Sequence, residues 1–212
     1  MNTRAVDAVL LVPVKAFGEA KARLAPILDP PTRDRLARWT ASRVLAAAGR
    51  LPTYVACDNE EVAEWATAHG ATVLWHPGTG LNGAVNASIA ALRDSGVEHV
   101  VVAHGDLPRA TDLAAVVRYG MLTLVPDRRG DGTNVAAMPT AMRFELDYGP
   151  GSFRRHLAAA FAAGIGVEVR RDPLLGIDID TPQDLCHPMV LEVLPTWLPT
   201  ILVNQLLPSA AC

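Results

Sequence analysis

Short apolar runs alternate along this chain with longer, mixed segments. Ala8–Val14, Thr53–Cys57, Ala71–Leu74, His99–Ala103 and Leu122–Val125 are dense in Val, Leu and Ala, the pattern of strands buried on both faces. Between them, Thr32–Ala48, Asn59–His69, Asn82–Asp94 and Thr111–Tyr119 are each long enough for a helix. Thr32, Asn59 and Thr111 suit the N-cap position, and Gly49 followed by Pro52 marks a helix stop. Regular β–α alternation predicts an α/β fold with a mostly parallel sheet flanked by helices. Further on, Asp127–Asn134 is a loop, Val135–Pro139 and Arg143–Leu146 form a peripheral strand pair, and Gly151–Ala163 is a helix.

Length changes this picture little: 212 residues fit one ordinary domain. Half the residues are hydrophobic and 19% are charged, so the chain is not largely disordered. A formal net charge of −3, with no dense basic run, excludes a general nucleic-acid binder. Cys57, Cys186 and Cys212 lack CxxC spacing, which points to a reducing compartment and a cytoplasmic protein. The N-terminal apolar run is too short for a signal peptide and no segment reads as a membrane span. The domain is expected over residues 1–185, with an apolar, proline-interrupted tail over 186–212. That tail is expected to pack on its own domain or on a sister subunit, as in a homodimer, with a membrane contact or a poorly ordered terminus as the alternatives.

Three islands follow apolar runs, at the edge where α/β sheets bind ligands: VPVKAFGEAKARL, AHGDLP and GIDIDTPQDL. The last places Asp178 and Asp180 on one face of extended backbone, about 7 Å apart, a repulsive pair that a cation such as Mg²⁺ would relieve. Capping of the next helix by Asp180 or Thr181 is the competing role and accounts for only one of the two acids. Asp106, just beyond a strand, completes a carboxylate set or else shapes a turn. Lys15, Lys21 and Arg23 are candidates for phosphate, with a solvated basic loop as the alternative. A single Gly18 makes this neither a P-loop nor a dinucleotide fingerprint. The loops 130–134 and 148–152 offer backbone N–H groups and the hydroxyls of Thr133 and Ser152 to an anion, or serve as plain turns. Paired cations and carboxylates are what chemistry on a nucleoside triphosphate requires.

Taken in order, VPVKxxxxAKxRL, GLN before a helix, GDLP, PDRxGxGTN, FxxxYGxGSFxxH and GIDIDTPxDL resemble the guanylyltransferases of coenzyme F420 biosynthesis over roughly residues 8–185. The resemblance implies a single-domain, Rossmann-like nucleotidyltransferase fold. It also implies transfer of GMP from GTP to phosphoenolpyruvate or 2-phospho-L-lactate, with release of pyrophosphate. By motif, Asp106, Asp178 and Asp180 would hold Mg²⁺, and Thr133, Gly149 and Ser152 would bind the phosphorylated acid. Lys15, Lys21 and Arg23 would act at the triphosphate beside Asp106, and the Gly80-Leu81-Asn82 turn would lie near the base. His76–Thr79 lacks the acidic character found in many relatives, and the tail lies outside the resemblance. An acceptor such as 3-phospho-D-glycerate, a molybdenum-cofactor or sugar-phosphate nucleotidyltransferase, a metal-dependent glycosyltransferase and a silent nucleotide-binding regulator remain as alternatives.

Overall fold

The computed structural model describes residues 8–198. Seven strands form one sheet in the order β3-β2-β1-β4-β6-β5-β7. They are β1 (Ala8–Pro13), β2 (Thr53–Cys57), β3 (Thr72–Trp75), β4 (His99–Ala103), β5 (Leu122–Pro126), β6 (Thr133–Pro139) and β7 (Val167–Val169). All neighbours are parallel except β6, which runs antiparallel between β4 and β5. The sheet is thus the mixed, mostly parallel one that the alternation predicts.

The apolar run of β1 is continuous because both its faces are covered. Leu10 and Val12 pack with α1 (Pro30–Ala46) and α2 (Glu60–Ala68) residues, including Ala41, Val44 and Trp65. Val9 and Leu11 pack on the other face with Val85, Ile89 and Leu92 of α3 (Gly80–Asp94) and Phe153 and Ala160 of α4 (Ser152–Ala162). A third cluster joins Leu24, Leu28 and Leu36 to Ile177, Ile179, Leu185, Val190 and Leu198. It pins the 177–180 segment beside the 21–28 segment, which positions the candidate site. After α5 (Pro182–Leu185), which ends the domain, the first residues of the tail pack on that domain in this way, through Val190 of α6 (Pro188–Leu191) and Leu198. The tail from 199 onward, and the homodimer contact expected there, lie outside the described residues. No helix among those described is long and apolar enough to cross a membrane.

Several expectations change. The cap of α1 is Asp29, not Thr32: its carboxylate accepts from the Thr32 N–H, with Pro30 and Pro31 tolerated in the first turn. Asn59 caps α2 as expected, accepting from Val62. Thr111–Tyr119 is no helix; only Leu113–Val116 makes a 3₁₀ turn, after a left-handed Asp112 (φ 38°) and with the Leu113 N–H drawn to Ala47 O. Val135–Pro139 is not peripheral. The tight 127–132 loop turns it back into the centre of the sheet as β6. Arg143–Leu146 forms no strand, and β7 was not foreseen.

Candidate active site

Asp106 lies three residues beyond the end of β4, after His104 and Gly105, so it stands at the carboxyl edge of the parallel strands. Burial of Ile177 and Ile179 in the third cluster turns Asp178 and Asp180 the opposite way, toward Asp106. The alternation works without a strand: residues 177–180 pair with no strand of the sheet, and the Ile179 N–H bonds Asp106 O, just beyond β4, at 3.2 Å. Oxygen atoms of Asp106, Asp178 and Asp180 all lie within 4.8 Å of one another.

Lys21 closes this cluster. Its left-handed backbone (φ 57°) aims the ammonium inward, 3.1 Å from Asp106 Oδ2 and 3.6 Å from Asp180 Oδ1, with a further bond to Ile179 O. Arg23 approaches Asp180 at 3.5 Å from a largely exposed position. Two cations and three acids leave the cluster short of positive charge, and burial adds to the cost of each ionised carboxylate. Burial, then Asp106 and Asp180, pushes the Asp178 carboxyl up to about 7. Burial and Asp106 raise Asp180 against the pull of Lys21 and Arg23. Burial also acts upward on Asp106, but Lys21 and His104 outweigh it and hold that carboxyl below its usual range. Asp106 Oδ1 is buried and has no hydrogen-bond partner. An orphaned carboxylate oxygen among three converging acids fits a hard divalent cation such as Mg²⁺, whose ligands are oxygens.

Three adjoining cavities surround the cluster. The first, about 360 Å³, is lined by Lys15, Glu19, Asp58, Asn59, His76, Gly80 and Leu81. A second of about 220 Å³ runs from Lys15 past Lys21 to His104, Asp106 and Asp180. The third, about 370 Å³, is bounded by Arg23, Asp106, Asp178 and Asp180 on one side and Arg129, Thr133, Tyr148, Gly149 and Ser152 on the other. Leu81 borders all three. Asp106 and Asp180 thus border both the second and the third cavity, with Asp178 in the third, an arrangement suited to joining two anionic molecules.

Not every candidate side chain faces this space freely. Lys15 is exposed and borders the first two cavities, whereas Lys21 is committed to the acids. Gly80 and Leu81 line the first cavity, but Asn82 turns away and bonds Tyr148. Thr133 and Ser152 are buried and satisfy each other's surroundings: Ser152 Oγ accepts from the Thr133 N–H, and Thr133 Oγ1 pairs with His156 Nδ1 at 2.9 Å. The 130–134 loop spends its N–H groups internally, because Asp127 accepts from Arg129, Asp131 and Gly132. Gly149, at φ 133°, is a conformation that side-chain-bearing residues rarely adopt.

The motif reading left out several residues that hold the site together. Asp184 is buried and anchors Arg128, Arg129 and Thr181; the Thr181–Asp184 capping-box spacing was its signal. Asp58 and His76 border the first cavity with no motif to announce them. His156, last residue of the FxxxYGxGSFxxH run, accepts from the Asp147 N–H at Nε2. Burial, aided by Arg155, lowers its pKa to about 4. His156 therefore stays neutral when folded, while the unfolded chain takes up a proton below about pH 6.5. Stability should fall as pH drops from about 6.5 to about 4, by at most about 1.4 kcal/mol per pH unit from this residue. Urea midpoints across that range should slope less in His156→Gln than in the unsubstituted protein; equal slopes would refute a neutral His156.

A phosphoenolpyruvate guanylyltransferase from Sphaerobacter thermophilus is 33% identical over 186 residues, covering 84% of this chain and 90% of that protein. One of the same name from Rubrobacter xylanophilus is also 33% identical over 186 residues, covering 84% and 91%. Among solved structures, a Desulfovibrio desulfuricans protein provisionally described as a nucleotide-diphospho-sugar transferase shares the fold at TM-score 0.75. It is 15% identical, with 95% of this chain and 99% of that one covered. A nucleotidyl transferase from Methanothermobacter superposes at TM-score 0.60 with 16% identity, covering 84% and 93%. The family model for CofC-like guanylyl transferases matches residues 8–192, and the chain belongs to that family.

Proposed function

We propose that this chain transfers GMP from GTP to a small phosphorylated carboxylic acid, phosphoenolpyruvate ahead of 2-phospho-L-lactate or 3-phospho-D-glycerate, and releases pyrophosphate. The observation that carries this reading is the Asp106, Asp178 and Asp180 cluster at the junction of two cavities, in a chain of the guanylyl transferase family. The base occupies the first cavity, the triphosphate runs past Lys15 toward Arg23, and the acid occupies the third. Asp106, Asp178 and Asp180 hold Mg²⁺, which when bound neutralises charge on the phosphates. Lys21 bridges Asp106 and Asp180 and favours the ionised form of each.

A phosphate oxygen of the acid bonds to the α-phosphorus as the bond from that phosphorus to the bridging oxygen breaks. The electron pair leaves with pyrophosphate. The attacking oxygen is already anionic, so no side chain has to take a proton. What the chain contributes is alignment and charge. The names of the relatives support phosphoenolpyruvate, and coenzyme F420 biosynthesis in the cytoplasm is the setting this reaction fits. Pyrophosphate release should be fastest with GTP and phosphoenolpyruvate when the four nucleoside triphosphates are assayed against the three acids. A comparable rate with CTP would overturn the guanylyl assignment and leave nucleotidyl transfer standing.

A further inference from the structure

Residues 143–148 have no strand partner, yet the backbone there is not left to solvent. One face of α3 holds it. Asn86 Oδ1 accepts from the Leu146 N–H at 2.9 Å, and Asn86 Nδ2 donates to the Leu146 carbonyl at 2.9 Å. One turn earlier, Asn82 treats Tyr148 in the same way: Oδ1 accepts from its N–H at 2.8 Å, and Nδ2 donates to its carbonyl at 3.2 Å. Asn82 Nδ2 also reaches Asp147 Oδ1 at 3.2 Å.

The match has a geometric basis. Residues four apart on a helix lie on one face about 5–6 Å apart. Residues two apart in extended backbone lie about 6.6 Å apart with their polar groups on the same side. Two side-chain amides thus act as a missing strand. Asn is a weak helix former, so two of them within α3 go against local preference.

The helix start and the segment it holds meet the cavities differently. Gly80, at the start of α3, borders the first cavity and Leu81 borders all three, whereas Tyr148 and Gly149 border the third. We infer that Asn82, supported by Asn86, is a positioning residue for the acceptor acid: it fixes the loop beside the acid to the helix beside the nucleotide. Loss of the Asn82 amide frees the Tyr148 N–H and carbonyl next to Gly149 but leaves the backbone of Gly80 and Leu81 in place. The effect therefore falls on the acid and not on the nucleotide.

This inference rests on the guanylyl-transfer reading, and the two fail differently. Absence of pyrophosphate release from the unsubstituted protein with GTP, Mg²⁺ and phosphoenolpyruvate would overturn the reading. The inference is tested by Asn82→Ala and Asn86→Ala, with amide hydrogen exchange as a readout that needs no turnover. In Asn82→Ala, the amides of 146–149 should exchange faster while those of β1 and β4 keep their protection. The phosphoenolpyruvate KM should rise about tenfold, the equivalent of about 1.4 kcal/mol, with the GTP KM changed less than about threefold. Asn86→Ala, one turn further from Gly149, should show the same split at smaller size. Unchanged exchange at 146–149, or equal rises in both KM values, would overturn the positioning role.

Discussion

Asp178→Asn should lower guanylyl transfer by about 100-fold or more while leaving the metal-free protein as stable as before, or more stable. The amide keeps the size and much of the hydrogen bonding of the carboxylate but removes a charged ligand. Its stability effect has a definite sign. The Asp178 carboxyl is raised to about 7 by burial and by Asp106 and Asp180. An ordinary aspartate in the unfolded chain ionises near pH 4. Between those values the folded state binds the extra proton, so stability is lost as pH rises from about 4 to about 7 and stays lost above it. Replacing the acid removes that penalty, so the gain in urea midpoint with a chelator present should be larger at pH 8 than at pH 5. Added Mg²⁺ should then stabilise the unsubstituted protein at pH 8 more than the variant. An Asp178→Asn protein that melts early yet turns over fully once folded would mean the acid is structural and not a ligand.

The carboxylate pair was legible because its signal is local. Alternation of Ile and Asp over 177–180 orients the acids whatever lies beyond, and the buried isoleucines obey it even without a strand ladder. The strands β1, β2, β4 and β5 were legible for the same reason: a run buried on both faces must be apolar throughout. What failed was everything decided at long range. β6 is central only because the chain reverses after Asp127, and its small residues Ala136 and Ala137 carry no mark of their neighbours. Residues 143–148 have strand-like composition but find their hydrogen bonds on Asn82 and Asn86, 66 and 60 positions away. Lys21 read as a phosphate ligand because motif order says nothing about which way a left-handed residue aims its side chain. Thr133 and Ser152 were legible as residues of one site, but not as partners in an internal network with His156.

Lys21→Met should abolish activity to a similar degree as Asp178→Asn and yet shift stability in the opposite direction. The Lys21 side chain is 7% exposed, and its ammonium is the one cation that reaches both Asp106, at 3.1 Å, and Asp180, at 3.6 Å, among the described residues, whereas Arg23 reaches Asp180 from a largely exposed position. Methionine preserves most of the aliphatic stem, so the change isolates the charge. It leaves three acids within 4.8 Å with only the exposed Arg23 beside them. Breaking a buried pair by removing one partner costs on the order of 3 kcal/mol, because the remaining charge keeps its desolvation penalty and loses its compensation. Partial exposure of Asp106, 21%, and Asp180, 40%, places the expected loss at or below that figure. The loss should shrink in acid, as the carboxyls protonate, and shrink again with Mg²⁺. The sharpest check is the double variant Lys21→Met with Asp178→Asn. Removing one acid lowers the repulsion that the missing ammonium leaves behind, so the combined stability loss should be smaller than the sum of the two measured separately. Strict additivity, or a Lys21→Met protein as stable as the unsubstituted one in the presence of a chelator, would show that this lysine does not hold the acids together.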